Sequence, residues 1–530
     1  MALVPDGALM QRAAAGLASV CATVLRANPG GIYGSRVVVL AGTGDNGGDA
    51  LYAAALLAKR GAAVTAIQAG SRIHAGGADA LTAAGGRIIP VIPPRAPDDT
   101  RPEPGARYDT GHDTRHVIGH ADLIIDGMLG IGGKGGLRDP YATLAQLAAN
   151  SGATTVAVDL PSGIDADTGA VDGPAVRADV TVAFGAAKPG LLIDPGAGRA
   201  GVVEVIDIGL GPHLLEPPDA CAPQRADIRD LVPRPTPESD KYRRGVLGLL
   251  AGSDRFTGAA LLATGGAVRG GAGMVRLVTA PAAAAGVRRA WPEVVITELA
   301  GESRGRSEES LRFPEDVGRV QAWVAGPGMG VTEVAADRLA AVLRTSLPVL
   351  VDADGLSLLA RDKSLLPRPA PTLLTPHAGE LGRLLGADPA DVAARRLEYV
   401  RRAATEFGAC VLLKGSTTVI APPDGLDPVL VNTTGTPWLA TAGTGDVLSG
   451  LAGALLAQGL LPPQAAITAA YLHGLAARLA AADLAGTVTG APLGAMAGPD
   501  EEGADARGTS PIGASDVVRA LPMAFRALHG

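Results

Sequence analysis

Thr441-Ala442-Gly443-Thr444-Gly445-Asp446-Val447-Leu448-Ser449-Gly450 decides how the chain is read, because it places one carboxylate where a glycine turn becomes a helix. Glycines at 443 and 445 let the backbone turn tightly and aim its N–H groups at one point. The helix expected to begin near Asp446 adds the positive end of its dipole, so the loop suits transferring phosphoryl oxygens. Asp446 could take a proton from a hydroxyl that attacks phosphorus. Its plainer role would be to cap the helix.

The neighbouring motifs favour the chemical role. Val411-Leu412-Leu413-Lys414-Gly415-Ser416-Thr417-Thr418 reads as a buried strand ending in a lysine, a glycine and three small hydroxyl residues, a common way to hold a nucleotide phosphate or ribose. Thr372-Leu373-Leu374 reads as another strand, and Thr375-Pro376-His377-Ala378-Gly379-Glu380-Leu381 after it opens an amphipathic helix. Three strand-then-loop sites in one half of the chain point to one ligand, since open α/β sheets bind at the carboxyl ends of their strands.

Together with Gly252-Ser253-Asp254-Arg255-Phe256-Thr257-Gly258-Ala259, Gly326-Pro327-Gly328-Met329-Gly330 and Asp352-Ala353-Asp354-Gly355, these motifs make residues 241–521 resemble the ADP- or ATP-dependent NAD(P)H-hydrate dehydratases of the ribokinase-like superfamily. Phe256 stands where many members carry tyrosine, and Gly355 and Ser357 replace the usual alanine and asparagine. The resemblance implies that Lys414, Gly415, Ser416, Thr417, Thr418, Gly443, Thr444 and Gly445 bind the nucleotide. It implies that Ala259, Gly328, His377 and Asp446 face the hydrate, with Asp446 as catalytic base and ADP as phosphoryl donor. Phosphoryl transfer also calls for Mg2+.

The first half has its own signature. Arg36-Val37-Val38-Val39-Leu40-Ala41 is a buried strand by composition, and Gly42-Thr43-Gly44-Asp45-Asn46-Gly47-Gly48-Asp49 reads as a glycine-rich turn before a helix over residues 50–60, a Rossmann-type opening. Asp45, Asn46 and Asp49 inside that turn imply a cation or a sugar hydroxyl besides phosphate. Strands ending at Asp126 and Asp159 run into Gly127-Met128-Leu129-Gly130 and Leu160-Pro161-Ser162. In a parallel sheet Asn46, Asp126, Asp159 and Ser162 could converge. Such an oxygen-rich cluster without a carboxylate cage suits a monovalent ion. Alternatively, Asp126 and Asp159 are strand-end turn residues.

The Asn-Gly-Gly-Asp loop, the turn Asp159-Leu160-Pro161-Ser162-Gly163-Ile164-Asp165 and the run Phe184-Gly185-Ala186-Ala187-Lys188-Pro189-Gly190-Leu191 make residues 1–212 resemble the NAD(P)H-hydrate epimerase domain. The resemblance implies that Asp45, Asn46, Gly47, Gly48, Asp49, Gly130, Ile131, Gly132, Gly133, Lys134, Gly135, Gly136 and Asp159 contact the hydrated dinucleotide, and that Asn46, Asp126 and Ser162 ligate K+. Asp159 is the candidate acid/base; its plainer role is hydrogen bonding to substrate hydroxyls.

The expected architecture is therefore α/β in two domains: a Rossmann-like βαβ sandwich over residues 1–212, a proline-rich linker or domain-hugging strap over 213–240, and a ribokinase-like α/β/α domain over 241–530. The fusion implies repair of the hydrates NADHX and NADPHX, by epimerisation of R and S forms and ADP-dependent dehydration of the S form. The alternatives are a vitamin-precursor kinase of the same superfamily and a non-catalytic first domain.

A net charge of -7 and no basic run with interleaved aromatics exclude a nucleic-acid surface and leave small molecules as partners, with a homo-oligomer expected. Three scattered cysteines suit a reducing cytoplasm, with Cys410 read as strand packing. The amino terminus lacks a signal-peptide pattern and no uninterrupted apolar run reaches spanning length, so a cytoplasmic protein without a membrane partner is expected. His112, His116 and His120 recur every four residues, which on a helix suggests zinc. They lie beside a proline-rich stretch over 93–111 that reads as a surface insertion, so a solvated face is the default. Residues 498–509 read as a mobile loop.

Overall fold

The computed structural model describes residues 7–28, 30–91, 112–299, 313–423, 425, 428–485 and 510–529. The stretch over 93–111 and the segment over 498–509 fall outside them. Contacts divide the chain into two units, the division falling between Pro217 and Pro218.

The first unit is built on a seven-stranded sheet: β1 (Arg36–Ala41), β2 (Ala63–Gln68), β3 (Arg87–Pro90), β4 (Leu123–Gly127), β5 (Thr154–Val158), β6 (Val180–Phe184) and β7 (Val202–Ile206). All neighbours are parallel, in the order β3-β2-β1-β4-β5-β6-β7. A parallel sheet covered on both faces needs strands that are apolar throughout. Val37 and Val39 bury against the helices Ala8–Ala27 and Asp45–Ala58, whereas Val38 and Leu40 bury against Tyr141–Ala149. The strand order sets the carboxyl ends of β1, β4, β5 and β6 side by side.

One boundary differs from expectation. The helix after β1 begins at Asp45, so Asn46, Gly47, Gly48 and Asp49 form its first turns and not a loop. The glycines serve close approach: a methyl at Gly47 would stand 2.5 Å from the Gly42 carbonyl oxygen, and one at Gly48 would stand 2.9 Å from the His74 ring.

The second unit has ten strands: β8 (Ala220–Cys221), β9 (Val246–Leu250), β10 (Met274–Thr279), β11 (Val295–Glu298), β12 (Ala322–Ala325), β13 (Val349–Val351), β14 (Thr372–Leu374), β15 (Cys410–Leu413), β16 (Thr418–Ala421) and β17 (Val429–Asn432). Their order is β11-β10-β9-β12-β13-β14-β15-β16-β17-β8. Only β16 pairs antiparallel with its neighbours. The carboxyl ends of β9, β12, β13, β14 and β15 are thus consecutive along the sheet, and each runs into one of the glycine- or charge-bearing motifs. Cys410 is buried in the core and burial pushes its thiol up.

The proline-rich stretch is a strap. Its β8 adds to β17 in parallel, and its helix Arg225–Leu231 buries Ile228 in the second unit's core.

Gly450, downstream of the Asp446 turn, serves packing. The helices Thr257–Arg269 and Thr444–Ala457 cross so closely that a methyl at Gly450 would overlap the Ala263 carbonyl oxygen, and one at Gly266 would overlap that of Val447. Gly450→Ala is expected to cost about 1–3 kcal/mol of stability through this overpacking, read from the denaturant midpoint at constant slope. An unchanged midpoint would show that the helices can part freely.

The helices Ala8–Ala27 and Pro462–Ala482 have the length and mean hydropathy of a membrane span, although Arg12, Arg26 and Arg478 interrupt their apolar runs. Both supply core residues: Leu17 and Leu25 from the first, Ile467 and Leu472 from the second. The helix His112–Gly119 and the turn after it bring the rings of His116 and His120 to 4.2 Å, with the His120 Nδ1 2.8 Å from the His116 carbonyl oxygen. The His112 side chain lies outside the described part of the structure.

Candidate active sites

In the second unit, the helix Thr444–Ala457 starts from Gly443 in the left-handed region at φ 89°, with no side-chain cap. Asp446 therefore stands inside the first turn and is not the cap that the plainer reading required. Gly443 is tight for a second reason, since a methyl there would overlap the Leu262 side chain. The Thr444 hydroxyl donates to the carbonyl oxygens of Leu439 at 2.8 Å and Thr441 at 3.0 Å, which shapes the loop from within. Burial, with the Asp352 carboxylate nearby, pushes the Asp446 carboxyl up to about 7 against the pull of Lys414.

Lys414, at the end of β15, lies 2.7 Å from Asp352 Oδ1 and 3.7 Å from Glu380 Oε2. These carboxylates hold its ammonium charged although the group is buried. Asp352 is only 2% exposed, and its other oxygen accepts a hydrogen bond from Ser449 at 2.6 Å. A methyl at Gly445 would stand 3.5 Å from Lys414 Nζ, so the lysine motif and the glycine loop meet.

His377 caps the helix Ala378–Leu385. Its Nδ1 accepts from the N–H groups of Gly379 at 3.0 Å and Glu380 at 3.3 Å, while Glu380 accepts from the His377 N–H at 2.8 Å. The ring is 58% exposed, which leaves it accessible beside the carboxylate cluster. Ala259 and Gly328 meet directly: a methyl at Gly328 would stand 2.7 Å from the Ala259 methyl.

The hydroxyl cluster after Lys414 divides. Ser416 lies two residues past the lysine in the turn, whereas Thr417 is buried and Thr418 begins β16 opposite Asn432. Arg396 organises this turn by donating to the carbonyl oxygens of Leu413, Lys414 and Thr417, and a methyl at Gly415 would press on its guanidinium.

The pH dependence follows from Asp446. Only the ionised carboxylate accepts a proton, and it is depleted below about 7. The rate of the step it serves should rise tenfold per pH unit up to about 7 and level off above. A profile flat from pH 5 to about 8 would remove Asp446 as the base.

In the first unit, Asp126 at the end of β4 is wholly buried. It accepts from the Ser162 hydroxyl at 2.7 Å, the Ser162 N–H at 2.8 Å and the Met128 N–H at 3.2 Å. Burial still pushes its carboxyl up to about 6. The Asn46 amide donates to the Leu129 carbonyl oxygen at 3.1 Å, and the Ser162 hydroxyl accepts from the Leu129 N–H at 2.9 Å. Asn46, Asp126 and Ser162 therefore converge on the turn that follows β4.

Asp159, after β5, is one of two non-glycine residues described with positive φ, at 66°. It accepts from the Phe184 N–H at 3.0 Å and forms an ion pair with Lys188, which sits beyond β6 and also donates to the Phe184 carbonyl oxygen at 3.1 Å. Burial, then the Asp159 and Asp45 carboxylates, push Asp49 up to about 7, and its Oδ1 is buried without a hydrogen-bond partner among the described residues. Lys134, in the Gly130 to Gly136 loop with Ile131, Gly132, Gly133 and Gly135, turns to Asp165 at 2.9 Å and Asp167 at 3.0 Å. A methyl at Gly136 would stand 2.8 Å from Gly173, and one at Gly130 would stand 3.3 Å from Asn46.

Sequence reading missed Lys188, Asp352, Ser449 and Arg396 as site residues. Lys188, Asp352 and Ser449 lay inside quoted motifs, and the charge of Asp352 directly after a strand was the clearest available signal. Buried His473 was missed too; burial holds its imidazole down to about 4, with the Thr444 backbone as a hydrogen-bond partner.

A phosphoryl-transfer cluster on a ribokinase-like sheet, preceded by a Rossmann-like unit with paired acidic groups, defines a two-domain α/β enzyme. Residues 247–494 match the family model described as NAD(P)H-hydrate dehydratase, and residues 6–190 match that of the YjeF-related protein N-terminus. The bifunctional NAD(P)H-hydrate repair enzyme Nnr of Mycobacterium leprae (strain TN) is 45% identical over 486 residues, 91% of each chain. That of Moorella thermoacetica is 35% identical over 488 residues, 89% of this chain and 88% of its own. The solved ADP/ATP-dependent NAD(P)H-hydrate dehydratase from Bacillus subtilis, co-crystallised with ATP/Mg2+, is 29% identical, covers 57% of this chain and 97% of its own, and superposes with a TM-score of 0.47. The chain belongs to the family of bifunctional NAD(P)H-hydrate repair enzymes. That membership sets aside the vitamin-precursor kinase.

Proposed function

We propose that the first unit interconverts the R and S hydrates of NADH and NADPH, and that the second, strap included, dehydrates the S form at the expense of ADP. The observation that carries the second step is a carboxyl held near neutrality, Asp446, beside the N–H groups of residues 443–445 and the Lys414 ammonium. Hydroxide leaves poorly near neutral pH, but a phosphate ester leaves easily. Asp446 takes the proton of the C6 hydroxyl as it attacks the terminal phosphorus of ADP, and the backbone N–H groups of Gly443 to Gly445 meet the charge on the transferring group. Electrons from the ring nitrogen then expel phosphate, and loss of the C5 proton to solvent restores the C5–C6 double bond, leaving AMP, phosphate and the dihydronicotinamide.

Lys414, Gly415, Ser416, Thr417 and Thr418 are assigned to the nucleotide; Ala259, Gly328 and His377 are assigned to the hydrate. Mg2+ would be held chiefly by the nucleotide phosphates, because Asp352 and Glu380 are already engaged with Lys414, Ser449 and the His377 N–H.

For epimerisation, the ring nitrogen lone pair expels the C6 hydroxyl or opens the ring, and re-addition from the other face inverts the centre. Asp159 moves the proton, oriented by the Phe184 N–H and Lys188. Asn46, Asp126 and Ser162 fit K+: the donors are hard oxygens, and Asp126 is a buried carboxylate that a cation would keep ionised. The ion would supply charge and positioning there.

The test is recovery of absorbance near ~340 nm from an R and S mixture of NADH hydrate, with ADP or with ATP, because repair restores the dihydronicotinamide chromophore. Full recovery with ADP is expected. Recovery that stalls once the S form is consumed would make the first unit non-catalytic, and none would overturn the reading.

A further inference from the structure

The amino-terminal edge of the second unit's sheet holds a cavity of about 330 Å³ that neither site uses. Arg234, Arg243, Arg244 and Arg269 line it, all exposed, around the more buried Val232, Leu455 and Phe525. Leu455 belongs to the last turn of the helix that starts at the Asp446 loop. At about 1.5 Å per residue, the cavity lies on the order of 15 Å along that helix from Asp446.

Four guanidiniums around one opening repel each other unless something negative sits among them. Only Arg243 has a carboxylate, Glu238 at 3.6 Å, among the described residues. Arg234 donates to His529 Nδ1 at 2.9 Å, Arg244 to the Gly271 carbonyl oxygen at 3.1 Å, and Arg269 lies 5.6 Å from the Trp291 ring centroid. Capping of helix ends does not explain the cluster. Gln458 already satisfies the carbonyl oxygens of Gly270 and Ala454, both at 3.0 Å, and Arg244 alone serves Gly271. Arg234 and Arg269 cap no carbonyl there, and His529 and Trp291 leave both without a carboxylate partner among the described residues.

We propose that this cavity binds a mononucleotide, with its phosphate held by Arg234, Arg244 and Arg269 and its base against Phe525. The planar guanidinium fork matches phosphate oxygens, and its weak hydration favours such pairing over that of an ammonium. The apolar interior between the arginines suits a base and gives inorganic phosphate nothing to contact. At about 330 Å³ the volume stands at the low end for small-molecule sites, which admits one nucleotide and not the dinucleotide substrate.

Equilibrium dialysis of the full chain against AMP tests this. The variant Arg234→Gln/Arg269→Gln should bind one fewer AMP per chain than the natural sequence, with dehydration kinetics unchanged, since neither residue belongs to the Asp446 site. Arg234→Lys/Arg269→Lys should keep the extra site at reduced affinity. Equal stoichiometry in the natural chain and the glutamine pair would overturn the proposal. A lysine pair that behaves like the glutamine pair would assign the loss to packing and overturn it too. Displacement of AMP by inorganic phosphate at equal concentration would overturn the nucleotide assignment.

Discussion

Asp446→Asn should lower dehydration by about 10²–10⁴-fold, the range that general-base catalysis typically contributes, and leave epimerisation at its original rate. Asparagine keeps the shape of the side chain and removes its capacity to accept a proton. The helix start should survive, because Gly443 caps it and no side-chain cap is lost. Burial that holds the carboxyl at about 7 would also cease to resist folding, so a fall in stability is not expected to confound the assay. The measurement is conversion of purified S hydrate with ADP, followed at ~340 nm. Dehydration within a few-fold of the natural rate would transfer the base to another group, and Glu380 or Asp352 would be next to test.

The second large effect is expected from Asp159→Asn. The substituted side chain would keep the positive φ, because asparagine tolerates the left-handed region better than most residues. It would still accept the Phe184 N–H, but it would lose the ion pair to Lys188 and the ability to carry a proton. If Asp159 moves the proton, the variant should slow R to S conversion by about 10²-fold or more while dehydration of pure S hydrate continues unchanged. If it only hydrogen-bonds a substrate hydroxyl, the amide largely replaces it, and the loss should stay near the ~1 kcal/mol worth of one hydrogen bond, roughly five-fold. The consumption of R hydrate in the presence of excess dehydratase activity separates the two.

The strand-then-loop grammar was legible because buried parallel strands need continuous apolar runs and their carboxyl-end loops need glycine and polar residues. Lys414 after β15, His377 after β14 and Asp126 at the end of β4 all stand where that grammar put them. Two kinds of information were not legible. Helix starts depend on three-dimensional clearance: the glycines at 47 and 48 look like loop residues, yet they open a helix because Gly42 and His74 crowd them. Partners that cross between strands also have no spacing signature. Lys188 reaches Asp159 across 29 residues and Ser449 reaches Asp352 across 97, so only the sheet order brings them together. Gly450, four residues past Asp446 in the same motif, had no role in that reading, and only the structure shows it as the contact point of two helices.

The strap has a practical consequence for cutting the chain. A fragment beginning at Lys241, where the dehydratase motifs suggest a start, would strip β8 from β17 and leave Val429–Asn432 as a bare sheet margin, while removing Ile228 from the interior. Unpaired margins recruit other chains, so such a fragment would be prone to precipitate during expression whatever the condition of its catalytic groups. A fragment beginning at Pro218 keeps both the covering strand and the helix that anchors it, and is the sounder place to open the gene.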